Sequence, residues 1–99
     1  MVGQETQRHI VEIVRRHMPL AHYRVFLFGS RVTGAATPRS DYDIGLEAAE
    51  PVPGGALAKM ALDLEDLPIL QKVEVIDFAR VSKEFSAEAG KRRQILYEQ

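Results

Sequence analysis

The chain predicts an α/β (α+β) fold, a small mixed sheet of about three to four strands backed by helices. Three observations carry this expectation. Apolar residues recur at helical spacing in separate stretches. Short segments between them are rich in β-branched and aromatic residues. Proline or glycine punctuates most of the junctions. The resulting order is α-β-α-β-α-β-α, and its 99 residues make one domain spanning 1–99.

The first helix is read over Gln4 to Met18, where Ile10, Ile13, Val14 and Met18 share a face and Pro19 ends the run. Tyr23 to Phe28 follows as a strand. Its unbroken apolar run predicts burial on both faces. Ser30 to Ala35 starts a short helix, and Ala36 to Ser40, with Pro38, is loop. Tyr42 to Glu47 is the second strand. Asp41 and Asp43 fall on one face of it, Ile44 and Leu46 on the other. Pro51-Val52-Pro53-Gly54-Gly55 breaks the chain. Leu57, Met60, Ala61, Leu64 and Leu67 then form a helical stripe stopped by Pro68. Lys72 to Phe78 is the third strand. Ser82 caps a last helix over Lys83 to Glu98, with Phe85, Ala89, Ile95 and Leu96 facing inward and Gly90 weakening its middle.

Composition narrows the function. There is no cysteine, which excludes disulfides, thiolate chemistry and a zinc–thiolate site. A net charge of -1 argues against broad nucleic-acid binding. The stretch from Met1 to His9 is polar, unlike a signal peptide, and no apolar run is long enough for a membrane span. The expected location is the cytoplasm, and the small size leaves room for a homo- or hetero-oligomer.

Two short patterns carry the chemistry. Gly29-Ser30 closes an apolar strand. Glycine admits a phosphate close to the backbone, the amides of the following helix point at an anion, and Ser30, Arg31 and Arg39 add donors and charge. The plainer reading is a strand-to-helix turn with Ser30 as cap. Asp41 and Asp43 form the second pattern. Two carboxylates on one strand face repel and lose hydration unless a cation joins them, and their oxygens suit Mg²⁺. The plainer reading here is a solvated turn at Ser40-Asp41.

Taken together, Gly29-Ser30-Arg31, Gly34 and Ser40-Asp41-Tyr42-Asp43-Ile44 resemble the signature of the DNA polymerase β-like nucleotidyltransferases, in particular the minimal nucleotidyltransferase (MNT) branch. Val73-Glu74-Val75-Ile76-Asp77-Phe78 and the closing Ile95-Leu96-Tyr97-Glu98 are similar to the last segment of these short proteins. The resemblance implies a polymerase β palm-like fold. It implies that Ser30 and the backbone after Gly29 hold the phosphates of a nucleoside triphosphate, with ATP as substrate. It further implies that Asp41 and Asp43 hold two Mg²⁺ ions, completed by a third carboxylate. Glu74, flanked by valines, is favoured for that place. Asp77 is the alternative, facing the other side of an ideal strand and otherwise capping the turn into Ala79-Arg80.

For acceptor and partner, the resemblance implies transfer of AMP to a hydroxyl on a small helical HEPN-type toxin, with this chain as the antitoxin. The alternatives are neutralisation by contact alone and transfer to a small molecule such as an aminoglycoside or to a nucleic-acid end. A bare nucleotide-binding domain is a weaker alternative. The remaining features read as structural: His9, His17 and His22 lie outside the motif, and Lys91-Arg92-Arg93 is the solvated face of the last helix.

Overall fold

A computed structural model describes residues 2–99, and Met1 lies outside it. Helix α1 (Val2–His17) leads to strand β1 (Tyr23–Phe28), the short helix α2 (Ser30–Thr33) and strand β2 (Tyr42–Ala48). Helix α3 (Gly54–Glu65) connects β2 to β3 (Val73–Asp77), and α4 (Lys83–Ala89) precedes β4 (Gln94–Glu98). The four strands form one mixed sheet in the order β3-β2-β1-β4. β1 is antiparallel to both of its neighbours, and β2 runs parallel to β3. The sheet class and most element positions agree with the sequence reading.

The end of the chain does not. The expected helix through Glu98 stops at Ala89, and Gln94–Glu98 is a strand. Gly90 ends the helix rather than weakening its middle, and its amide bonds the Ser86 carbonyl at 3.0 Å. Ile95-Leu96-Tyr97 is a β-branched and aromatic run, and the open edge of β1 supplies its partner. Val25 faces Tyr97, and Phe26 faces Ile95 across a register shift. A central β1 needs a neighbour on each side to satisfy its backbone. That long-range demand overrides the helical spacing of Phe85, Ala89, Ile95 and Leu96.

The pleat sorts the two faces of the sheet. Tyr23, Val25 and Leu27 with Tyr42, Ile44 and Leu46 point to one side, where Ile10, Ile13 and Val14 of α1 and Met60 and Leu64 of α3 close the core. Val52, inside the segment read as a break, is fully buried in this core. Across the helices, His17 Nε2 lies 2.6 Å from Asp63, and Arg16 joins the same carboxylate at 3.3 Å. His17 thus has an acidic partner far away in sequence.

The opposite face is aromatic, and Phe26 and Phe28 are buried on it. Phe26, Phe28, Phe78 and Phe85 meet edge-on or tilted, with centroids 4.8–6.3 Å apart. The Phe26 ring lies over Gly45, where a Cβ would overlap it. Further along, Arg24 bridges Glu98 and Glu47. Arg93 pairs with Glu47 at 3.2 Å and stacks on Phe26. The basic cluster is therefore not a helix face. It lies in the turn before β4, and Arg93 is built into the sheet surface. Among the described residues no helix is long and apolar enough to cross a membrane.

Candidate active site

The two motifs meet at the ends of β1 and β2. Phe28 and Asp43 are partners in the antiparallel ladder, so the residues that follow Phe28 fold back over Asp43. Gly29 takes φ 80°, a left-handed conformation that L side chains rarely adopt. A Cβ there would overlap the Asp43 carboxylate. The Gly29 carbonyl accepts from Val32 and Thr33 at 3.0 and 3.2 Å and so starts α2. The amides of Ser30 and Arg31 precede these first bonds and remain for an anion or water. The plainer reading made Ser30 the cap; instead Gly29 holds the N-cap position, Ser30 is the first residue of α2, and no side chain caps the helix. Gly34, at φ 87°, ends the helix.

Arg31 is engaged within the turn. Its guanidinium donates through Nε and Nη2 to the Ser40 carbonyl, at 3.2 and 2.6 Å, and lies 3.9 Å over the Tyr42 ring. It thereby ties the first turn of α2 to the segment carrying Asp41. A tight turn shapes that segment. Ser40 N donates to the Thr37 carbonyl at 3.0 Å, and the Thr37 amide donates to Ser40 Oγ at 2.8 Å. Arg39 is exposed on this turn, and its side chain forms no hydrogen bond or ion pair among the described residues.

Asp41 lies just before β2 and is exposed, whereas Asp43 is within the strand and half-buried. Asp43 shares the open face with Gly45 and Glu47, because Tyr42, Ile44 and Leu46 take the core side. Glu74 is its register partner on β3 and lies on that same open face. The Asp43 pKa is raised, first by burial, then by the charges of Glu74 and Asp41. No basic side chain pairs with Asp43 among the described residues, and Lys72, 3.6 Å from Glu74, is the nearby cation.

Asp77 faces elsewhere. Its carboxylate is buried on the helix-backed side. It accepts from the amides of Val52 and Ala79 at 2.8 and 2.9 Å and from Arg80 Nη1 at 2.7 Å. These bonds tie β3 to the entry of α3 and occupy the oxygens that a metal or proton would need. The turn-capping part was legible in the sequence. The bond to Val52 was not, because it spans 25 positions.

The donor set fits a hard divalent cation: oxygen ligands, mutual repulsion, and one carboxyl whose ionised form lacks a partner. Among the described residues no three such groups are already drawn into a closed ligand set.

The family model "Polymerase beta, Nucleotidyltransferase" matches residues 9–99, and the chain belongs to this family. No curated protein matches the sequence. Solved structures share the fold. A chain of a toxin–antitoxin complex with AMP-PNP is 22% identical, with TM-score 0.76, over 94% of this chain and 73% of that one. A chain of the complex between tri-AMPylated Shewanella oneidensis HEPN toxin and MNT antitoxin is 21% identical, with TM-score 0.72, over 97% and 72%. A chain of the MntA–HepT toxin–antitoxin complex gives 21%, 0.72, 97% and 73%.

Proposed function

We propose that this protein is an MNT antitoxin that transfers AMP from ATP to a hydroxyl of a HEPN-type toxin. The observation that carries the reading is the contact of the Gly29 backbone with the Asp43 carboxylate, with Glu74 beside it on the same sheet face. A phosphate-holding turn and an acidic centre then share one small space, as transfer at the α-phosphorus requires.

The free amides after Gly29 and the Ser30 hydroxyl hold the β- and γ-phosphates. Asp41, Asp43 and Glu74 are the residues that would hold Mg²⁺, which when bound neutralises phosphate charge and acidifies the acceptor hydroxyl. Arg31 fixes the distance between the two halves by holding Ser40 and Tyr42. The acceptor oxygen bonds to the α-phosphorus as the bond to the bridging oxygen breaks. Pyrophosphate leaves, and the hydroxyl proton passes to a carboxylate, Glu74 in this reading, or to solvent.

The test is incubation with ATP, Mg²⁺ and a HEPN-type protein encoded beside this chain, read by intact mass. The expected gain is one or more AMP units on the toxin, absent with Asp41→Asn/Asp43→Asn. The open arrangement of Asp41 and Glu74 favours one second reading, neutralisation by contact. Neutralisation that persists in the double variant, with no mass gain in either protein, would establish that reading instead.

A further inference from the structure

β3 stands at one end of the strand order and pairs with β2 alone among the described residues. The Lys72 carbonyl accepts from the Tyr42 amide, and the Phe78 amide donates to the Leu46 carbonyl, so both are spent on β2. Backbone groups alternate in direction along a strand. The amides and carbonyls of Val73 and Val75 therefore point away from β2. An open row of this kind is a template for another strand. On the helix-backed side of the same edge, a groove of about 500 Å³ runs between β3 and α3, lined by Leu57, Leu64, Leu67, Val73 and Val75. Leu70 borders it and is 97% exposed.

The other side of the edge is charged. Lys72 and Glu74 are two residues apart, share the open face, and approach each other at 3.6 Å, with side chains 69% and 51% exposed. A base and an acid so spaced on an edge strand are self-complementary. When two copies run antiparallel about a two-fold axis at Val73, Lys72 of each stands opposite Glu74 of the other. Val73 then faces its own copy and exchanges its outward amide and carbonyl with it. Moving the axis to Lys72 or to Glu74 sets like charges face to face, and moving it to Val75 sets Glu74 against Ile76. Charge thus selects one register.

We infer that the β3 edge is a self-pairing surface, closed in solution by β3 of a second copy of this chain. The pairing joins two four-stranded sheets into one. A two-fold axis perpendicular to the sheet keeps both candidate sites on one side and brings the two apolar grooves together on the other. Lys72 and Glu74 of the two copies alternate across the joint. Glu74 stays on the open face beside Asp43, with a second lysine next to it.

Sedimentation velocity of the full chain over a micromolar concentration series tests the surface. The wild type is expected to dimerise. Lys72→Glu and Glu74→Lys each put like charges at both cross-strand positions and weaken the dimer about tenfold or more. An equimolar mixture of the two variants restores it, because each carries the charge that the other lacks. Val73→Pro removes the outward amide at the centre, spares the bonds to β2 and gives a monomer. Circular dichroism checks that each variant is folded. A monomeric wild type overturns self-pairing. A dimer unchanged in both charge variants, or a loss that mixing does not repair, overturns this edge and register. A monomeric wild type that binds a HEPN-type protein, with binding lost in Val73→Pro, gives the edge to that partner and overturns the inference as well.

Discussion

Gly29 and Asp43 occupy the same small volume: the backbone of the one lies so close to the carboxylate of the other that no Cβ fits between them. The turn after β1 and the acid on β2 are therefore a single unit, held by the Phe28–Asp43 pairing. Gly29→Ala must displace Asp43 and also strain a positive φ. It is expected to destabilise the fold by about 1–3 kcal/mol and to abolish transfer. Urea denaturation and the AMP-incorporation assay check the two effects separately.

Arg31 is expected to act through Ser40 and Tyr42 rather than on phosphate. Arg31→Ala then lowers the transfer rate about 10- to 100-fold by loosening the geometry, with nucleotide affinity nearly unchanged. Arg31→Lys, which keeps charge without the planar fork, recovers little. Loss of affinity instead of rate, rescued by lysine, would mean that Arg31 contacts the nucleotide.

Asp43 should leave a signature in pH. Its pKa is raised by burial first and by Glu74 and Asp41 next. A carboxyl with a higher pKa folded than unfolded contributes its stability fully below the unfolded value and loses it as pH rises through the folded value. Asp43→Asn is accordingly more stable than the wild type near neutral pH, and the advantage shrinks as pH falls through the carboxylate range. The site is half-exposed, so the effect is modest. Metal-free thermal melts of both proteins across that range measure it.

Glu74 and Asp77 are expected to separate function from stability. Asp77→Ala strands the buried Val52 amide and removes the acceptor of the Ala79 amide and one of the two acceptors of Arg80, costing about 2–3 kcal/mol. Glu74 is exposed, and its pair with Lys72 is long. Glu74→Gln should change the denaturation midpoint little and remove transfer. Paired denaturation and transfer measurements decide it, and a Glu74→Gln protein of normal activity would exclude Glu74 as the third carboxylate.

Much of this was legible in one dimension. The apolar run of the strand Tyr23–Phe28 announced burial on both faces, and Val25, Phe26, Leu27 and Phe28 are buried. The alternation around Asp43 placed it away from the core. Period-two arithmetic alone put Glu74 and Asp77 on opposite faces. Local sequence carries such information because it depends on pleat, punctuation and apolar spacing, all set by near neighbours.

The sequence by itself determined the class of sheet, the family signature and the strands that bear it. Only the tertiary structure decided that Gln94–Glu98 is a strand, because the deciding partner is the edge of β1, about seventy residues away. The same is true of Arg31, which its neighbours suggest for a phosphate and a folded-back Ser40 carbonyl claims. It is true of Val52, whose burial depends on α3 and on the Asp77 carboxylate. In each case the competing local preference is worth a fraction of a kcal/mol to about one, and the long-range pairing or burial that overrides it is worth more.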